Sequence, residues 1–139
     1  MSFEEKGTWI YAVLALVLPA IYFAIILGQL SSTPAGGIEY QVPMLIAIGA
    51  AIGLAIVGAI VIGIASPRDA GKSDERDKEI NRRGEYVGGT VLAAAMVVPF
   101  GLAMLEVDHF WIGNAIYLAF ILGAIAGTTV KLVAYRRGF

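Results

Sequence analysis

The sequence predicts an all-α, polytopic membrane protein with four transmembrane helices and both termini on the cytoplasmic side. Three observations carry that prediction. The 139-residue chain is 58% hydrophobic with a mean hydropathy of +0.78, well above what soluble domains show. It contains four apolar stretches near the roughly 20 residues that a helix rising about 1.5 Å per residue needs to cross about 30 Å of hydrocarbon. All ten of its Lys and Arg residues lie at Lys6, between Arg68 and Arg83, or between Lys131 and Arg137. These are the two ends and the central loop, and a Lys/Arg excess marks cytoplasmic segments.

The first span covers about residues 8–30. Its leader, with Glu4 and Glu5 against Lys6, lacks the basic region of a cleavable signal, and its apolar run is long for one, so it reads as a retained helix. Residues 31–42 then form an outer loop with Glu39 and no basic residue. The second span, about residues 43–65, places Ala47, Ala51, Ala55, Ala59 and Gly63 every four residues, flanked by Gly49 and Gly53. A charged cytoplasmic loop fills residues 66–84. The third span, about residues 86–105, leads into the acidic outer turn 106–111, and the fourth, about residues 112–130, carries Ala115, Ala119, Gly123 and Gly127 at the same spacing. Association of helices in lipid depends on close backbone approach, which small residues at i and i+4 allow. Both stripes are therefore expected helix contacts, either within one chain or between copies of it. Pro19 and Pro99 each remove a backbone donor and are expected to bend the first and third spans. Trp9, Tyr40, Trp111 and Tyr135 fall at the expected interfaces, where aromatic residues anchor.

The whole chain, residues 1–139, reads as one domain made of two similar hairpins. Each half runs from a Gly and an aromatic residue through a proline-bearing helix, an acidic loop and a return helix rich in small residues. Sliding one half on the other by 69 positions pairs Glu39 with Asp108, Ala50 with Ala119, Ala55 with Ala124, Gly58 with Gly127 and Arg68 with Arg137. Such a duplication would be a parallel repeat about an axis along the membrane normal.

Chemistry-bearing groups cluster at two places. In the inner loop, Ser73 or Asp74 is placed to cap a helix of about ten residues ending near Gly84, and Asp74 with Lys78 and Glu79 with Arg83 stand at ion-pair spacing. Three uses compete for it. It is a solvated connector, a docking surface, or a divalent-metal site around Asp74 and Asp77 that Arg76 and Lys78 would oppose. In the docking use, Asp74, Glu75, Arg76, Asp77 and Lys78 supply ion pairs and Ile80 an apolar contact. The second cluster is the outer turn, where Glu106, Asp108 and His109 are candidate metal or proton-sensing groups, with a wet polar turn as the ordinary reading.

Several classes are disfavoured. The four spans hold no Asp, Glu, Lys, Arg or His, the groups that mark proton relays and ion paths. The chain has no cysteine and one histidine, so thiol chemistry and paired haem ligation within a chain are excluded. No nucleophile elbow or phosphate-binding glycine loop is present. The expectation is a protein that is not an enzyme, holds no cofactor and does not contact nucleic acid directly.

The stretch DERDKEINRRGEY, the outer EVDHFW turn and the KLVAYRRGF end together resemble a family of small four-span bacterial and archaeal membrane proteins of unknown function. In that family the inner loop carries an Asp-Glu-Arg-Asp-x-x-Ile pattern, matched here by Asp74, Glu75, Arg76, Asp77 and Ile80. The resemblance implies partnership with a small soluble transcriptional regulator and supplies no catalytic residues. The expected function is thus a membrane scaffold or sensor in the cell membrane, homo-oligomeric, that docks a cytoplasmic partner through its charged loop. A small oligomeric channel or facilitator, or an accessory subunit of a larger membrane complex, is the alternative.

Overall fold

The structure, a computed structural model, describes residues 1–138, and five α-helices form four long apolar rods. Helix α1 is Phe3–Gly28, α2 Gln41–Ala65, α3 Glu75–Ala95, α4 Val97–Met104 and α5 His109–Arg137. All four rods, counting α3 and α4 as one, are long and apolar enough to cross a membrane. Among the described residues there is no strand. Side chains on the outer faces are apolar and open: Ile46, Val57 and Ile60 on α2, and Val97, Phe100 and Met104 on α4, are all more than half exposed. Apolar surface this continuous is what a lipid-facing protein needs and what a soluble monomer avoids.

The two prolines act differently. Helix α1 runs unbroken through Pro19. At Pro99 the missing N–H leaves the Ala95 carbonyl without its helical donor, and the rod divides at Met96 into α3 and α4. A shallow apolar hollow of about 460 Å³ lies at this break, between Met96, Pro99 and Phe100 on one side and Ile112 and Ile116 of α5 on the other.

Helix α5 is the central element. It packs on α3, α4 and α1, whereas among the described residues the only extensive helix partner of α2 is α1. The tightest contact is α3 against α5, through glycines four residues apart on both helices. A Cβ on Gly88 would stand 2.8 Å from the Gly123 carbonyl oxygen, and one on Gly127 would stand 2.9 Å from that of Gly84. Only glycine permits this approach, so Gly84, Gly88, Gly123 and Gly127 form one backbone-to-backbone seam. The stripe of α5 is thus an intrachain contact, with Ala119 also buried and Ala115 half-buried along it. The stripe of α2 is divided: Ala47 is buried, Ala51, Ala55 and Gly63 are half-buried, and Ala59 is exposed. A Cβ on Gly49 or Gly53 would meet nothing within 4 Å.

The buried core lies toward the acidic end, where Tyr22 and Ile26 of α1, Ile38 and Tyr40 of the connecting segment, and Phe110, Tyr117 and Ile121 of α5 meet. The Tyr22 hydroxyl donates to Asn114 Oδ1 at 2.6 Å, and Asn114 Nδ2 donates to the Phe110 carbonyl at 2.8 Å. Tyr22, Phe23 and Tyr117 pack ring on ring beside this pair, at centroid separations of 5.1–5.7 Å. A polar bond with both partners satisfied, inside an apolar shell, fixes which face of α1 meets α5.

Candidate functional site

The charged segment after residue 73 is not a separate loop helix ending near Gly84. It is the first half of α3, which runs on through Gly84 to Ala95. Two features explain this. Asp74 caps the helix by accepting from the Asp77 N–H at 2.7 Å, and the Asp77 carboxylate accepts in return from the Asp74 N–H at 3.3 Å, a capping box. Gly84 is helical, and its small size serves the contact with α5 instead of ending a helix.

The periodicity of α3 then gives this segment two unlike faces. Asp77, Ile80 and Gly84, at i, i+3 and i+7, point inward and are all buried, Ile80 completely. The Asp77 carboxylate accepts from the Tyr135 hydroxyl of α5 at 3.0 Å and, over a longer 3.4 Å, from the Ser2 hydroxyl ahead of α1. Ser2 itself caps α1 by accepting from the Glu5 N–H. Asn81 donates to Glu4, and Lys6 donates to the Ser66 hydroxyl just after α2. Arg76 reaches the Ala134 and Tyr135 carbonyls at 3.4–3.5 Å, a charge-to-dipole contact with the negative, C-terminal end of α5. Arg136 lies over the Trp9 ring at 5.2 Å. Every rod is thus tied to another at the basic end.

The outward face is an open ridge. Asp74, Glu75, Arg76, Lys78 and Arg82 are exposed, and Glu79 is half-buried. Lys78 pairs with Glu75 at 2.7 Å rather than with Asp74, which is occupied as a cap, and Glu79 pairs with both Arg82 and Arg83. Of the residues read as a docking set, then, Asp77 and Ile80 face the protein's own interior, with Asp77 a clamp on α5 and the start of α1, and neither is open to a partner. Asp74, Glu75, Arg76 and Lys78 remain open. The stripe of Asp77, Ile80, Gly84 and Gly88 is legible in the sequence as an i, i+3, i+7, i+11 series, though the density of charge around it masks the pattern.

At the acidic end, Asp108 caps α5 by accepting from the Phe110 N–H at 2.9 Å. The Tyr40 hydroxyl bridges the His109 carbonyl and ring Nδ1, both at 3.2 Å. Glu106 takes a left-handed backbone conformation, φ 53°, and is exposed. Among the described residues no three His, Asp or Glu side chains converge so as to hold a metal ion, here or around Asp74 and Asp77. The candidate set Glu106, Asp108 and His109 divides into an exposed turn residue, a cap and a tyrosine partner.

Polar groups along the rods are largely used within the protein. Thr90, Thr128 and Thr129 donate to carbonyls four residues back in their own helices, at 2.7–2.8 Å. Among the described residues no buried side-chain polar atom lacks a partner. One large cleft of about 900 Å³ lies between α2 on one side and α3 and α5 on the other, with α1 along it, and has Glu4, Asn81, Glu85 and Lys131 at its basic end.

No family model, curated protein or solved structure matches the chain.

Proposed function

We propose that this chain is a multi-pass protein of the cell membrane, with both termini and the loop after α2 in the cytoplasm, that docks a soluble partner on the outward ridge of α3. The single observation that carries the reading is the division of one helix into a clamped face and an open charged face. Binding by a flexible segment loses affinity to ordering; a ridge already fixed by a capping box and by the Asp77 and Ile80 contacts avoids much of that cost. The alternating charges of Glu75, Lys78, Glu79 and Arg82 supply partner discrimination more than raw affinity. The loop's Lys and Arg content favours the cytoplasmic side. This role is non-enzymatic, and a transcriptional regulator remains the partner that the resemblance of the Asp-Glu-Arg-Asp stretch suggests.

The two-hairpin duplication belongs to the same proposal. Tyr40 and His109, which touch, are themselves 69 positions apart, and counterparts meet each other only beside the axis that relates them. For a homo-oligomer, the open face of α2 around Gly49 and Gly53 is the available surface. A path for solutes along the small-residue stripes is less well supported, because α3 fills the α5 stripe and the threonine hydroxyls turn to their own helices.

A photo-crosslinking residue at position 78, in native membranes, tests the docking role. The expected result is an adduct with one soluble protein, lost when Glu75→Lys and Arg82→Glu reverse the ridge. An adduct pattern unchanged by the reversal would end the proposal.

A further inference from the structure

We infer that the cleft between the hairpins holds one phospholipid of the basic-end leaflet, with an ethanolamine headgroup. The inference rests on the membrane placement proposed above. If the duplication were carried through symmetrically, α2 would pack on α3 as α5 packs on α1, and instead the cleft occupies that position. Its walls are Ile48, Ala51, Ile52 and Ala55 of α2, facing Leu92 of α3 and Ala124 of α5.

Depth decides what kind of occupant fits. On α3 the cleft runs from Asn81 to Leu92, and on α5 from Lys131 to Tyr117. At about 1.5 Å per residue those are about 17 and 21 Å. One leaflet with its headgroups measures about 20 Å, half of a bilayer of about 40–45 Å, whereas a helix from a second copy would need a groove along the full hydrocarbon thickness of about 30 Å. The deep end is closed by Tyr117, held against Tyr22 and Phe23. A cleft of about 900 Å³ lies within the usual range for ligand sites.

Charge decides the headgroup. The entrance offers the Glu4 and Glu85 carboxylates and the Lys131 ammonium. Among the described residues neither Glu85 nor Lys131 has a hydrogen-bond or ion-pair partner, while Glu4 keeps one oxygen on Asn81. The absence of a side chain at Gly84 lets the stem of Lys131 lie across α3. Two carboxylates and one ammonium oppose an anionic headgroup. They complement a zwitterion, with its phosphate on Lys131 and its ammonium on Glu85. A primary ammonium can also donate charge-assisted hydrogen bonds to the carboxylates, which a quaternary choline cannot.

The test is native mass spectrometry of the protein taken in mild detergent from vesicles of equal phosphatidylethanolamine, phosphatidylcholine and phosphatidylglycerol. Wild type is expected to retain one phosphatidylethanolamine per chain in preference to the other two. Glu85→Gln, an exposed position outside the clamp, combined with Lys131→Gln, is expected to lower that preference about tenfold, the scale of one lost hydrogen bond to a charged group. Ala124→Phe is expected to reduce retention of all three lipids with helical content unchanged. Equal retention by wild type, or a preference indifferent to the charge variants, overturns the inference. So does efficient chain-to-chain disulfide formation by Ala124→Cys in this otherwise cysteine-free chain, which would put a second copy in the cleft. Protein that fails to enter the vesicles at all overturns the membrane placement as well, whereas insertion without lipid preference defeats this inference alone.

Discussion

Asp77 accepts from the Tyr135 and Ser2 hydroxyls and closes the capping box with Asp74, so its carboxylate joins α3 to α5 and to the start of α1. Removing it strands a partly buried hydroxyl and opens the box. Hydrogen bonds to a charged group are worth about 1.5–3 kcal/mol, so Asp77→Ala is expected to destabilise the protein by about 2–3 kcal/mol, and Tyr135→Phe by about 1.5 kcal/mol. Glu75→Ala is the control. Its side chain is 91% exposed, and surface changes of this kind stay within about 0.5 kcal/mol. Thermal unfolding in detergent measures all three, and equal effects at Asp77 and Glu75 would remove the clamp from the account. The sequence narrowed the cap to Ser73 or Asp74 and marked Glu79 with Arg83 as a pair, because both follow from spacing along one helix; the structure selects Asp74. It could not show that Asp77 is buried, since its partners stand 58 and 75 positions away.

At the scale of elements, the spans were legible because apolar length is a local property. Predicted residues 43–65 compare with observed Gln41–Ala65, and 112–130 with the longer His109–Arg137. The break before the third span is what the structure corrects: Gly84 reads as the end of a separate loop helix, whereas α3 runs through it and it is one of four glycines in the α3–α5 seam. The two prolines read alike in the sequence and differ in outcome: Pro19 is accommodated within α1 and Pro99 divides its rod. The seam makes a contrast between glycines. Gly88→Val would drive a branched side chain into the Gly123 carbonyl, and overpacking of this kind costs about 1–3 kcal/mol or more. Gly53→Val meets open space and is expected to leave the unfolding midpoint unchanged. If it instead shifts the molecular mass seen by light scattering in detergent, the open face of α2 is the contact between copies.

For the molecule as a whole, the rods are tied at both ends and leave a cleft along their length. The rods are tied at the basic end by Lys6 with Ser66, Glu4 with Asn81 and Asp77 with Tyr135, and at the acidic end by Tyr40 with His109. Between them, α2 stands away from α3. The distribution of Lys and Arg made the grouping of the two termini with the central loop legible, and the polar ties gather all three at one end. The cleft was not legible, because it arises where α2 and α3 do not pack, which no local pattern in either helix specifies. The claim on which docking ridge and lipid site both depend is that the basic end lies in the cytoplasm. Its most direct test is labelling of single cysteines, placed one at a time in this cysteine-free chain, with a membrane-impermeant maleimide on intact cells. Cysteines replacing Ser32 and Glu106 are expected to react from outside, and a cysteine replacing Lys72 only after the membrane is opened. Reaction at position 72 in intact cells would contradict the account.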